Sequence, residues 1–82
     1  MKMYAVKDNK SGAFLFPQPF PNEAVALRCY GSAVNDSAQT ILALYPEDCT
    51  IYSVGEFDDR TGVITSDVQF VANALDLKRK EV

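Results

Sequence analysis

The stretch TIYSVGEFDDRTGVIT, running from Thr50 to Thr65, decides the fold. Its first half, Thr50 to Phe57, is dominated by β-branched and aromatic residues, which suit a pleated, half-buried strand. Asp58, Asp59, Arg60, Thr61 and Gly62 then form a turn in which Gly62 takes the left-handed position of a bulged hairpin. Val63, Ile64 and Thr65 return as the partner strand, so the sheet begun here is antiparallel.

Upstream of this hairpin, Pro46, Glu47 and Asp48 make a turn, and Pro46 disfavours the helical region for the residue before it. A short helix through Ile41, Leu42 and Leu44, capped by Ser37, must therefore finish by Tyr45. The main helix is expected from Asn22 to Val34. Asn22 is a good N-cap, Glu23 lies in the first turn where the macrodipole favours an acid, and Val25, Cys29 and Ala33 form a stripe beside Ala26, Tyr30 and Val34. Gly31 either costs this helix about 1 kcal/mol or ends it early. Before it, Pro17, Pro19 and Pro21 hold Phe16 to Phe20 extended and stop regular pairing at Pro17. At the start, Lys2, Tyr4 and Val6 alternate with Met3, Ala5 and Lys7 in a strand that turns at Asn9 to Gly12 into a second short one, Ala13 to Phe16.

Downstream, two patterns compete. Ser66 and Gln69 have capping-box spacing ahead of Val68, Val71, Ala72 and Leu75, whereas Val68, Phe70 and Ala72 alternate with period two. The capping box favours a helix over 67–77. The resulting fold class is α+β: a small antiparallel sheet of three or four strands from both ends of the chain, the Asn22 to Val34 helix on one face, and a second short helix.

The chain has 82 residues, 48% apolar and 23% charged, which fits one soluble globular domain over residues 1–82 with a basic tail from about residue 78. A chain this short must use its core economically or share it with a second copy, so a homodimer is expected. There is no His, which removes the usual general base, the usual activator of Ser or Cys, and the commonest zinc ligand. Glu56, Asp58 and Asp59 lack the glycine-punctuated spacing of a calcium loop. The expectation is a protein that is not an enzyme, with no metal and no cofactor. Cys29 and Cys49 have no CxxC spacing and suit a reduced cytosol. No window approaches the roughly 20 apolar residues of a membrane span, and no secretory segment leads the chain, so neither export nor a membrane partner is expected.

Charge is unevenly placed. Met1 to Ala33 carries +2, Val34 to Leu77 carries −7, and the last five residues carry +2, giving the net −3 of the chain. An acidic middle is thus bracketed by two basic ends. Nonspecific nucleic-acid binding rests on phosphate neutralisation, so a monomer with this balance is not expected to bind DNA strongly unless the ends assemble a basic face.

The run Tyr45, Pro46, Glu47, Asp48, then Ile51 and Tyr52, then Gly55, Glu56, Phe57, Asp58, then Thr61 and Gly62 resembles the signature of the small nonstructural protein of gokushoviruses, single-stranded DNA phages of the microvirus group. Upstream, the Tyr4 to Asp8 strand, Pro19 with Phe20, Ala26, Leu27 and Arg28 with Tyr30, and Val34 with Asn35 agree in order, so the resemblance covers nearly the whole chain. It implies a nonstructural protein of the host bacterial cytoplasm that binds the single-stranded DNA genome and acts in replication or packaging. Such binding needs cations that track a phosphate backbone beside aromatic platforms. Lys2, Lys7, Lys10, Arg28, Lys78, Arg79 and Lys80 are the candidate cations, and Tyr4 and Tyr52, on expected strands, the candidate platforms. The bland alternatives are a solubilising tail and two core tyrosines. The competing function is a non-enzymatic interaction module in phage assembly or host takeover that binds a phage or host protein through an apolar surface and the acidic hairpin at Asp58 and Asp59. Cations gathered on one surface favour the first function, and an even scatter favours the second.

Overall fold

The computed structural model describes residues 1–36 and 39–78. Strands β1 (Lys2–Asp8), β2 (Phe14–Phe20), β3 (Cys49–Phe57) and β4 (Ile64–Asn73) form one antiparallel sheet in the order β2-β1-β3-β4. Helix α1 (Glu23–Val34), helix α2 (Ile41–Leu44) and two 3₁₀ turns, Pro46–Asp48 and Ala74–Leu77, complete the α+β fold.

The two hairpins use the same turn. Asp8-Asn9-Lys10-Ser11-Gly12 joins β1 to β2, and Asp58-Asp59-Arg60-Thr61-Gly62 joins β3 to β4. In each, the aspartate carboxylate accepts from the backbone N–H two residues on, at 3.0 Å from Lys10 and 2.9 Å from Arg60. The glycine N–H donates to the aspartate carbonyl at 2.7 Å in both, and both glycines have φ of 78°, a left-handed conformation that costs glycine little. The turn expected at Gly62 is therefore formed, and the first hairpin repeats it. Because β1 and β3 run antiparallel, the two turns lie at opposite ends of the sheet.

α1 begins where its cap requires. The Asn22 side chain accepts from the Val25 N–H at 2.9 Å, and the helix runs through Gly31 to Val34 without ending early. At its far end the Asn35 amide donates to the Gly31 carbonyl at 2.7 Å and to the Leu77 carbonyl at 3.0 Å, tying α1 to the last 3₁₀ turn. Tyr4, Val6 and Ile51 from the sheet meet Ala26, Tyr30 and Val34 of α1, Leu42 of α2 and Ala74 of that turn in one core. Edge-to-face contacts link Phe20 to Tyr4 at 5.9 Å and to Tyr30 at 5.5 Å.

Three expectations are corrected. The helix anticipated over 67–77 is a strand: β4 extends to Asn73, and only Ala74–Leu77 is helical, as a 3₁₀ turn. The capping box is unused, since the Gln69 amide donates instead to the Asp67 carboxylate at 3.1 Å, while pairing with β3 satisfies the backbone that a helix would have served. Regular pairing also does not stop at Pro17, because Gln18, Pro19 and Phe20 pair with Tyr4, Met3 and Lys2. β2 is an edge strand, where a missing donor on the outer side costs nothing, and a bulge at Phe16, with φ of 54°, absorbs the misfit. Finally, α2 is capped by Thr40, whose side chain accepts from the Ala43 N–H at 3.2 Å, whereas Ser37 lies outside the described residues.

Candidate nucleic-acid interface

Among the described residues the helical elements share their core with one face of the sheet, the Tyr4, Val6 and Ile51 face, and no helix covers the other. Strand alternation decides what that open face carries. In β1 it receives Met3, Ala5 and Lys7, the side opposite Tyr4 and Val6. Cross-strand pairing then brings Phe14 beside Lys7, Tyr52 beside Ala5, and Phe70 beside Tyr52.

The result is a row of three rings across the sheet. Phe14 and Tyr52 lie 5.4 Å apart between centroids, Tyr52 and Phe70 6.3 Å, both edge to face. Phe14 is 45% exposed and Phe70 60%, with Val68 between Phe70 and the sheet's far end exposed as well. Such exposure is unusual for phenylalanine in a small domain, and together these residues make a contiguous apolar patch. Lys7 Nζ stands 5.7 Å from the centre of the Phe14 ring, in cation–π range, and among the described residues no carboxylate forms an ion pair with it. Beside Lys7, the Asn9 amide donates to the Thr50 hydroxyl at 2.9 Å, so the Lys7 end of the row is polar.

The sequence-derived candidates divide sharply. Tyr52 belongs to the row. Tyr4 does not: its ring is completely buried under α1, so the expectation that it presents a platform to a base is overturned. The two tyrosines are both on strands, but Tyr4 sits at a core-facing position and Tyr52 beside Ala5 on the other face. Of the cations, Lys7 stands on the open face and Lys10 is in the β1–β2 turn. Lys2, at the opposite end of β1, lines a cleft with Glu56 and Asp67, where neighbouring carboxylates weaken its pull on a phosphate. Arg28 is exposed on α1, in the helical layer, and Lys78 follows the last 3₁₀ turn. Arg79 and Lys80 lie outside the described residues. The placed cations are thus scattered over both ends and both layers, and no single basic surface gathers them.

Phe14 and Phe70 were missed as candidates. The signal for Phe70 was present in the period-two pattern of Val68, Phe70 and Ala72, which the capping-box spacing outweighed. Phe14 could have been found through Lys7, since a five-residue turn closing on Gly12 sets these two opposite each other.

At the far end, Asp58 is held below the usual carboxylate range, first by the Arg60 N–H and then by hydrogen bonds from Thr61. That is a turn-forming role. Among the described residues no three His, Cys, Asp or Glu side chains come together as metal ligands, and no helix is long and apolar enough to cross a membrane.

No curated protein and no solved structure matches the chain. A family model described as Phage ORF5 protein matches residues 1–77, and the chain belongs to this family of phage proteins.

Proposed function

We propose that this phage protein is a nonstructural protein of the gokushovirus type that binds single-stranded DNA. In this reading it works without catalysis or cofactor in the host bacterial cytoplasm, as a homodimer, in genome replication or packaging. The resemblance of the Tyr45 to Gly62 run supplies the setting, and membership of a phage protein family agrees with it. One observation carries the chemistry: the Phe14–Tyr52–Phe70 row on a sheet face that no helix among the described residues covers, with Lys7 at one end. Unpaired bases offer π-faces to such rings, and each base stacked on an aromatic side chain contributes about 1–3 kcal/mol. Duplex DNA keeps its bases stacked on one another and cannot use the row. Lys7 and Lys10 then supply one or two phosphate contacts, which makes stacking, not charge, the main source of affinity.

The test is fluorescence anisotropy of a labelled single-stranded oligonucleotide over a salt series, with duplex and RNA controls. The expected result is preference for single strands and a shallow salt dependence, with log K falling by about 0.7 per phosphate contacted against log salt. Phe70→Ala should weaken binding at least about fivefold, since one stacked base is lost. Absence of binding at low salt would sink the reading.

A second reading is favoured by the scatter of the cations and by the −7 charge of Val34 to Leu77. In it, the same apolar face docks a phage or host protein, and the Asp58, Asp59 turn supplies the acidic rim. Binding by the open face that duplex, single strand and RNA all fail to compete away would identify this case.

A further inference from the structure

The two edges of the sheet are built differently. β2 carries Pro17 and Pro19 inside the strand, Pro21 just beyond it, and the Phe16 bulge at φ of 54°. Prolines within a strand are an ordinary means of preventing an edge from pairing with another chain. β4 is the other edge, ten residues from Ile64 to Asn73; it carries one charge, Asp67, and shifts register twice against β3, but it has no proline, lysine or arginine and no residue at positive φ. Every residue from Ile64 to Phe70 is exposed, including Ile64, Val68 and Phe70. A ten-residue edge without proline presents a row of backbone donors and acceptors, and among the described residues no further strand pairs them.

From this contrast we infer that β4 pairs with β4 of a second copy, antiparallel about a two-fold axis at Val68. The register follows from the side chains. Centred on Val68, the pairing sets Asp67 of each copy opposite Gln69 of the other, an acceptor against a donor. Within one chain these two already share a hydrogen bond of 3.1 Å. It also sets Ser66 against Phe70, on the open face, and keeps the two Asp67 carboxylates from facing each other directly. Centring on Asp67 would oppose two like charges, which is destabilising. The Lys-free edge accepts this arrangement because no inward cation has to be buried.

A two-fold axis perpendicular to the sheet puts both open faces on the same side. The Phe14–Tyr52–Phe70 rows of the two copies then lie on one continuous face, offset along the strands by about 13 Å because Phe70 of each copy faces Ser66 of the other. This selects the interface of the homodimer proposed above, and its consequence for DNA, a site twice as long with Lys7 at each end, rests on the single-stranded DNA reading. An edge contact of this length is smaller than the roughly 800 Å² per partner of a standard interface, so the dimer is concentration-dependent.

The experiment is light scattering on the full chain without DNA, over a concentration series, for the wild type, Val68→Lys and Phe16→Lys. The expected result is a mass rising from 9.1 kDa towards twice that value for wild type and Phe16→Lys, and a constant monomer mass for Val68→Lys. Val68→Cys, made with Cys29→Ser to remove the exposed native thiol, keeps the test independent of how Lys is tolerated. Facing residues have Cβ atoms about 5 Å apart, close enough for a disulfide after a small shift, so oxidation should give a covalent dimer. A wild type that stays monomeric at the highest attainable concentration overturns the inference. So does a dimer that survives Val68→Lys and does not cross-link through Val68→Cys. Adding the oligonucleotide afterwards separates the two readings: a β4-paired dimer that ignores DNA overturns only the DNA reading, and a monomer that binds DNA overturns only the pairing.

Discussion

Gly55 is the glycine with the least freedom for change. Its φ of 148° is one that L side chains rarely adopt, and a Cβ there would lie far inside van der Waals contact with the Thr65 carbonyl of the neighbouring strand. The close approach occurs where both β1 and β4 lose register against β3, around Val54. Gly55→Ala is expected to cost about 3 kcal/mol, combining strain and clash, and to lower the urea midpoint accordingly. In a domain of this size that is a large share of total stability. Tyr30 makes the opposite case. Its hydroxyl is buried with no hydrogen-bond partner among the described residues, and burial, with smaller contributions from Cys29 and Tyr4, pushes its pKa up to about 12. Because the folded pKa lies above the unfolded value near 10, the folded state holds the phenolic proton more tightly. Stability is therefore complete below pH 10 and falls as pH rises from 10 towards 12, by at most about 1.4 kcal/mol per pH unit. Tyr30→Phe should leave stability at pH 7 unchanged or raise it by up to about 1 kcal/mol, and should flatten the alkaline loss in urea titrations.

Among the elements, α1 reads most directly from sequence because its signals are local. The Asn22 cap, the acid at Glu23 and the apolar stripe all act within one or two turns, so no distant partner is needed to interpret them. Gly31 is the weak point of that helix. An added Cβ would meet only Leu77 Cβ at 3.9 Å, an ordinary contact, so Gly31→Ala should stabilise the fold by about 0.5–1 kcal/mol and raise the melting temperature by several degrees. β4 reads worst. Its residues satisfy a helical template and a strand template at once, and the choice between them is made by β3, whose free edge offers a hydrogen-bonding partner. β2 fails in the same way: Pro17 and Pro19 look like the end of pairing until the strand is known to lie at the edge.

For the whole molecule, the layers decide which side chains meet solvent. Cys49 is buried beneath the helical layer, and desolvation, reinforced by Asp8, Asp48 and Glu47, raises its pKa, whereas Cys29 is exposed on α1. A thiol reagent should therefore label one cysteine per native chain and two in denaturant, with Cys29→Ser abolishing the native reaction. The same layering creates the candidate site, since helices on one face leave the Phe14, Tyr52 and Phe70 row uncovered. What the sequence determined alone was the local grammar: two strand-turn-strand units, the capped main helix, the α+β class, and the absence of histidine chemistry. These depend on contacts a few residues apart, where backbone preference and capping suffice. Only the tertiary structure decided that β4 is a strand, that Tyr4 is core while Tyr52 is surface, that Phe14 and Phe70 join it, and that the cations are dispersed. Each of those outcomes is set by register and by which face the helices cover. A bulge of one residue reverses the facing of a strand, and nothing within that strand records which face will be covered.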